Sequence, residues 1–235
     1  MKCIVSENIS RETYDSLTKY TEDIILIRGL NTLYNAVKSH ADIQCFPLDN
    51  HTVIVHPEID CRTLAEFNNY KIKVIFGEKS LKCNYPDNIA YNAVKVGNKI
   101  FHNFKYTDTT LYKTLTQNGY ELIEVKQGYT KCSVLVVDNN SIITSDRGIA
   151  KIAIENKIEV ALISPGNIDL PGLNYGFIGG ASGTLSEDRL VFFNGDITLH
   201  PDGDEIISYL TKKRFDIVSL SKRKLIDVGS FFLIP

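Results

Sequence analysis

The chain has 235 residues, 43% of them hydrophobic and 23% charged, with a formal net charge of −2 at pH 7. These values suit a globular protein with a sizeable core, and the lack of a basic stripe argues against nucleic acid as a partner. The five cysteines, Cys3, Cys45, Cys61, Cys83 and Cys132, are odd in number and irregularly spaced, which argues against a disulfide framework, and no CxxC pair points to zinc. The N-terminal Met1–Ser6 lacks the apolar core of a signal peptide, and no run approaches a membrane span. The expectation is one cytoplasmic domain, residues 1–235, that binds neither metal nor cofactor and meets no membrane.

Taken in order, Lys2–Val5 reads as a strand and Ser10 as the N-cap of a helix over residues 11–20, with Tyr14 and Leu17 at helical spacing. Asp23–Ile27 is a further strand, and residues 28–39 are a connector with helical character around Leu33–Val37. A repeated order then sets in. Strand Asp42–Phe46, a turn at Leu48-Asp49-Asn50 and strand Thr52–Val55 are followed by a helix over 58–69 and strand Lys71–Phe76. The same order returns as Tyr91–Val96, Lys99–Phe101, a helix over about 108–117 and Tyr120–Val125. It returns again as Cys132–Val137, Ser141–Thr144, a helix over about 147–156 and Glu159–Ile163. A fourth copy starts near Phe177, turns at Ser186-Glu187-Asp188 and continues through Arg189–Phe193, a helix over about 203–213 and Phe215–Ser219.

The repeat is roughly 40–50 residues long, which signals a repeat architecture. The two ends supply a fifth unit: Val228–Ile234 is an apolar strand without a partner after it, and Lys2–Ile27 is a repeat lacking its first strand. Pairing the last strand with the first completes the unit. The expected fold is therefore α/β, five strand–strand–helix–strand units round an axis, closed between the chain ends so that no sheet edge is left bare. The competing reading is an open α/β sandwich whose periodicity is coincidental.

Five such units bring the starts of their first strands to the axis. Those positions carry Asp227, Gly229 and Ser230; His40 and Asp42; Tyr91 and Asn92; Lys131 and Cys132; and Gly179, Gly180 and Ser182. A cysteine at the mouth of a strand beside a lysine can have a lowered pKa and act as a nucleophile, or it can simply fill the core. His40 can be an acid/base or a cation ending a helix, and Asp42 and Asp227 can be site carboxylates or local caps. His56-Pro57 and His200-Pro201 occupy matching places after second strands and read as structural turns. Gly179-Gly180-Ala181-Ser182-Gly183 lacks the Lys-Ser/Thr ending of a phosphate loop, which favours a close backbone approach at the axis.

At this point the chain resembles the penteins, the five-unit α/β propellers of the guanidino-group-modifying enzymes. Gly128-Tyr129-Thr130-Lys131-Cys132-Ser133-Val134-Leu135 is similar to the segment that carries the nucleophile in dimethylarginine dimethylaminohydrolases. His40-Ala41-Asp42 is similar to the His-x-Asp of arginine deiminases, and Leu225–Phe231 to a worn acidic Gly-Gly-Asp strand. The cyclic order Asp227, His40, Cys132 matches the family, although the linear order is shifted.

The resemblance implies a thiolate at Cys132, an acid/base at His40 and an orienting carboxylate at Asp227. Asp42 would grip the substrate cation, with Lys131, Asn92, Gly180, Ser182 and Ser230 around the binding site. It implies a small guanidine or amidine substrate and a covalent thioether intermediate. The chain departs from the pattern at Ser230, where the family has an Asp, and at Gly180-Ala181-Ser182, where it has an acidic pair. Since those carboxylates hold the guanidinium in the family, a non-catalytic pentein-fold binding protein is the alternative expectation.

Overall fold

The structure, a computed structural model, describes residues 1–235. Its fifteen strands form five separate three-stranded sheets. The sheet made from the chain ends joins β1 (Lys2–Ser6), β2 (Asp23–Ile27) and β15 (Phe232–Ile234). Strand β1 runs antiparallel to β15, with Lys2 opposite Ile234, and parallel to β2, with Lys2 opposite Asp23. The helix between them, α1 (Arg11–Leu17), is capped by Ser10, whose hydroxyl accepts from the Thr13 N–H.

The other four sheets repeat this plan, an antiparallel hairpin followed by a parallel strand across a helix. The second unit is β3 (Cys45–Pro47), β4 (Thr52–Val55), α3 (Cys61–Asn69) and β5 (Lys73–Phe76), preceded by the single turn α2 (Ala41–Gln44). The third is β6 (Val94–Val96), β7 (Lys99–His102), α4 (Thr109–Gln117) and β8 (Glu121–Glu124). The fourth is the turn α5 (Thr130–Ser133), then β9 (Val134–Asp138), β10 (Ser141–Thr144), α6 (Arg147–Glu155) and β11 (Glu159–Leu162). The fifth is β12 (Ser182–Leu185), β13 (Leu190–Phe193), α7 (Gly203–Lys212) and β14 (Asp216–Ser219). Three of the crossover helices start on an aspartate, Asp60, Asp108 and Asp146, whose carboxylate accepts a first-turn N–H. This cap recurs because each helix follows a strand directly and its first N–H groups have no other partner.

Five apolar clusters hold the sheets to one another. Ile25, Val53 and Phe67 join the first sheet to the second, and Ile54, Ile100 and Leu111 the second to the third. Phe101, Ile142 and Ile149 join the third to the fourth. Leu135, Phe193 and Leu210 join the fourth to the fifth, and Phe192, Val5 and Leu17 the fifth back to the first. In every junction the crossover helix of the later unit supplies part of the cluster. A fully buried phenylalanine such as Phe67 or Phe193 contributes about 1.5–3 kcal/mol relative to exposure.

The first strands begin later than their apolar runs suggest. Residues 41–44 and 130–133 form single helical turns instead of the starts of strands, and Val228–Phe231 lies outside any strand. Two consecutive residues with positive φ, Gly229 at 81° and Ser230 at 70°, break that last run. The cause lies in the partners of the backbone N–H groups. Asp42 N–H donates to the Gly229 carbonyl, Lys131 N–H to the Asn92 carbonyl and Gly180 N–H to the Cys132 carbonyl. Val228 and Ser230 both donate to the Gly180 carbonyl. The Asn92 amide bridges the remaining step by donating to the Asp42 carbonyl at 2.8 Å. Each turn is thus tied to the next unit instead of to its own ladder. The residues between β2 and α2 are turns and bends without a helix, and α1 stops at Leu17, short of Tyr20.

Candidate functional site

The hydrogen-bonded turns gather nine of the sequence-selected residues into one buried cluster. Cys132 lies within α5, and its sulfur accepts from Asn92 Nδ2 at 3.1 Å. Asn92 Oδ1 in turn accepts from the Lys131 N–H at 2.8 Å, so one amide fixes both the thiol and the turn that carries it. The helical turn rotates successive side chains by about 100°. Cys132 therefore lines one cavity while its neighbour Lys131 lines another.

Asp227 is held in a cradle of backbone. Oδ2 accepts from Phe177 N–H at 2.9 Å and Oδ1 from Gly229 N–H at 3.0 Å. A Cβ on Gly176 or Gly180 would fall on the Asp227 side chain, and one on Gly229 would fall on His40. The glycines at these positions are what let the backbone close round the carboxylate and the imidazole. His40 Nδ1 lies 3.8 Å from Asp227 Oδ1 and has no hydrogen-bond partner, although the ring is buried. Asp42 accepts from Ser230 Oγ at 2.6 Å through Oδ2, while its Oδ1 is buried without a partner. Lys131 Nζ donates to Ser230 Oγ at 2.9 Å, so a Lys131–Ser230–Asp42 chain runs through the buried cluster. The ammonium also lies over the Phe232 ring, 5.4 Å from its centroid.

Burial dominates the protonation of all five groups. It lowers His40 and Lys131 and raises Asp42 and the Cys132 thiol, the thiol being pushed up further by the charges of Asp42 and Asp227. Burial also brings Asp227 up to about 6, against the pull of its two backbone N–H partners and Lys131. Two carboxyls thus face one ammonium, and a neutral imidazole and a thiol complete the set. Desolvation favours the neutral form of each group, and a cation brought beside them would favour the ionised carboxylates and the thiolate.

His40, Asp227 and Cys132 all line a cavity of about 200 Å³. The remaining walls are Tyr34, Val37, Ile43, Tyr129, Leu170, Leu173, Asn174, Tyr175 and Phe177. On the other side of Lys131 a second cavity of about 340 Å³ opens between the first strands, with Phe232 and Lys95 in its wall.

A family model described as "Family of unknown function (DUF6873)" matches residues 4–232. The chain belongs to that family. No curated protein matches this DUF6873 chain by sequence. Solved structures do match it. An amidinotransferase from Microseira wollei in the saxitoxin biosynthetic pathway superposes with a TM-score of 0.57 at 12% identity, over 94% of this chain and 88% of that one. A Pseudomonas aeruginosa dimethylarginine dimethylaminohydrolase, a Cys-to-Ser mutant complexed with citrulline, gives 0.55 at 10%, over 94% and 91%. A C. jejuni agmatine deiminase gives 0.53 at 10%, over 94% and 86%. All are pentein-fold proteins, and the DUF6873 chain has that fold, with five small three-stranded sheets.

Of the sequence-selected residues only Cys132, His40 and Asp227 line the cavity; Asp42, Ser230 and Lys131 form the hydrogen-bonded chain beside it, and Ser182 and Tyr91 lie farther off. Ser182 is buried, and its hydroxyl donates to the Ile178 carbonyl at 2.6 Å. Tyr91 points outward and donates to the Lys79 carbonyl at 2.8 Å. Gly180 and Asn92 do not line the cavity but brace Asp227 and Cys132 respectively. His56 pairs through Nε2 with Gln44 Oε1 at 3.0 Å, and His200 Nδ1 accepts from Asp202 N–H, both serving turns. The walls of the cavity were not selected from sequence. Residues 170–177 follow no repeat position, and only the aromatic run Tyr175–Phe177 hints at them.

Proposed function

We propose that this protein is a cysteine-dependent hydrolase or transferase acting on a guanidine or amidine C–N bond through a covalent thioether. The observation that carries the reading is the convergence of Cys132, His40 and Asp227 on one cavity. The pentein fold, shared with proteins named as amidinotransferase, dimethylaminohydrolase and deiminase, agrees with it. On this reading the five sheets are the blades of a propeller closed by the pairing of β1 with β15.

A cationic amidine entering beside Asp227 brings a positive charge next to Cys132, which lowers the cost of ionising the buried thiol. The Cys132 proton passes to His40, and the thiolate attacks the amidine carbon, forming a C–S bond. The C–N bond to the leaving amine then breaks, its electron pair going to nitrogen and its proton coming from the His40 imidazolium. In the second half a water gives its proton to His40 and its oxygen to the carbon. The C–S bond breaks and the thiolate is restored; an amine in place of water makes the reaction a transfer. Asp227 orients His40 and stabilises its cationic form, while Asp42, fully buried beside the cavity, acts on His40 and Cys132 through its charge. Asn92 positions the sulfur.

The test is labelling by 2-chloroacetamidine, whose cationic head mimics the substrate. Cys132 should be modified at pH 7 faster than by neutral iodoacetamide, while the exposed Cys61 and Cys83 show the reverse order. Equal rank order at all three thiols would sink the proposal. One observation favours a second reading, a binding protein without catalysis: Cys132 is 3% exposed and burial holds its thiol protonated. That reading predicts amidine binding with no modification of Cys132.

A further inference from the structure

We infer that the substrate of this site is a small amidine or guanidine with an uncharged, apolar tail, and not an amino acid. The inference rests on the amidine reading of the cavity and concerns the part of the ligand that the reading leaves open. Behind the catalytic group the walls are Tyr34, Tyr129, Leu170, Leu173, Tyr175 and Phe177, and Asn174 is their one uncharged amide. No lysine or arginine lines the cavity, and its sole carboxylate is Asp227, already committed to His40 and two backbone N–H groups.

An α-carboxylate entering here would lose water and meet no cation, and an α-ammonium would meet no free anion. Burying an unpaired charge is the costliest thing a site can do. The volume, about 200 Å³, also lies below the roughly 300–1,000 Å³ of drug-sized ligand sites, which limits the tail to about six carbons or one ring.

The rim supplies independent support. Leu173 is 48% exposed and Tyr175 45% exposed, and both stand at the mouth of the same cavity. Large apolar side chains left in water at a cavity mouth are what an apolar tail would cover. Tyr34 and Tyr129, with hydroxyls 3.5 Å apart, form part of the opposite wall and offer faces on which a planar cation or ring can lie.

The experiment measures binding of hexylguanidine, agmatine, arginine and hexylurea to the full chain by calorimetry. Hexylguanidine should bind on the order of 100-fold tighter than arginine and agmatine, the scale expected for an unpaired charge in a dry site. Hexylurea, which keeps the tail and loses the charge, should bind weakly. The exposed rim variant Leu173→Glu should bring agmatine to within about tenfold of hexylguanidine, because its carboxylate meets the tail ammonium. Arginine or agmatine binding as tightly as hexylguanidine would overturn the inference and leave the amidine reading standing. Hexylurea matching hexylguanidine, or no binding by any guanidine, would overturn both.

Discussion

Asp227→Asn separates the charge of this carboxylate from its shape. In the folded protein Asp227 titrates at about 6, against an ordinary value of 3.8, because it is buried beyond the help of its three partners. Between those two values the folded state holds a proton that the unfolded chain has already lost. Stability therefore falls as pH rises through this window: the favourable contribution is complete below 3.8 and gone above 6. The difference between 3.8 and about 6, at about 1.4 kcal/mol per tenfold change in proton affinity, makes the full cost about 3 kcal/mol above pH 7, with about half of it present at pH 5. Asparagine keeps the size and one acceptor, and it resembles the protonated acid. At pH 4 the variant and the parent should agree within about 1 kcal/mol, and at pH 7.5 the variant should be the more stable by about 3 kcal/mol. The asparagine NH2 group cannot accept from one of the two backbone N–H donors, Phe177 or Gly229, so about 3 kcal/mol is the upper end of the gain. The measurement is urea denaturation from pH 4 to 8, taken as the difference between the two proteins so that other titrations cancel. Parallel curves would mean that burial does not raise Asp227 in the folded protein, contrary to this reasoning. Activity, by contrast, should drop by a factor on the order of 10⁴ if the carboxylate orients His40 as in a Ser-His-Asp triad.

Gly180→Ala places a methyl group on the Asp227 carboxylate and should cost about 3 kcal/mol or more. Gly119→Ala, at φ 74° but with open space around it, should cost only about 1–2 kcal/mol in the same denaturation assay. Asn92→Ala leaves the Asp42 carbonyl without its amide donor and the Cys132 sulfur without its own, so a loss of about 2–4 kcal/mol and slower amidine labelling are expected together. His102, buried and bonded to Thr107 Oγ1 at 2.6 Å, is held down to about 4 by desolvation. Its contribution is present above its unfolded value of 6.5 and is lost as pH falls toward 4, so His102→Gln should flatten the acid limb of the stability profile by about 3 kcal/mol.

Much of this protein is local and could be read from its residues. Strand, turn, strand, capped helix and strand recur because β-branched runs alternate with Asn-Gly-Asp turns and aspartate caps, and these signals act over a few residues. The split unit was equally legible, since Phe232–Ile234 is too apolar to stand alone and Lys2–Ser6 lacks one neighbour; the two pair antiparallel. The repeat also put Asp227, His40, Asn92 and Cys132 at the starts of first strands, ahead of β15, β3, β6 and β9.

What the chain order could not state is which way each side chain points. Val228–Ile234, Asp42–Phe46 and Cys132–Val137 have the composition of strands, yet their first residues are turns. Their N–H groups bond across to Gly229, Asn92 and Gly180 of other units, contacts separated by tens of residues in sequence. Those turns send Lys131 and Cys132 to different cavities and hide Ser182 against its own backbone. The raised pKa of Asp227 and the apolar walls of residues 170–177 arise only when the five units meet. Desolvation and charge coupling depend on distance through space, and the order of residues along the chain does not encode that distance directly.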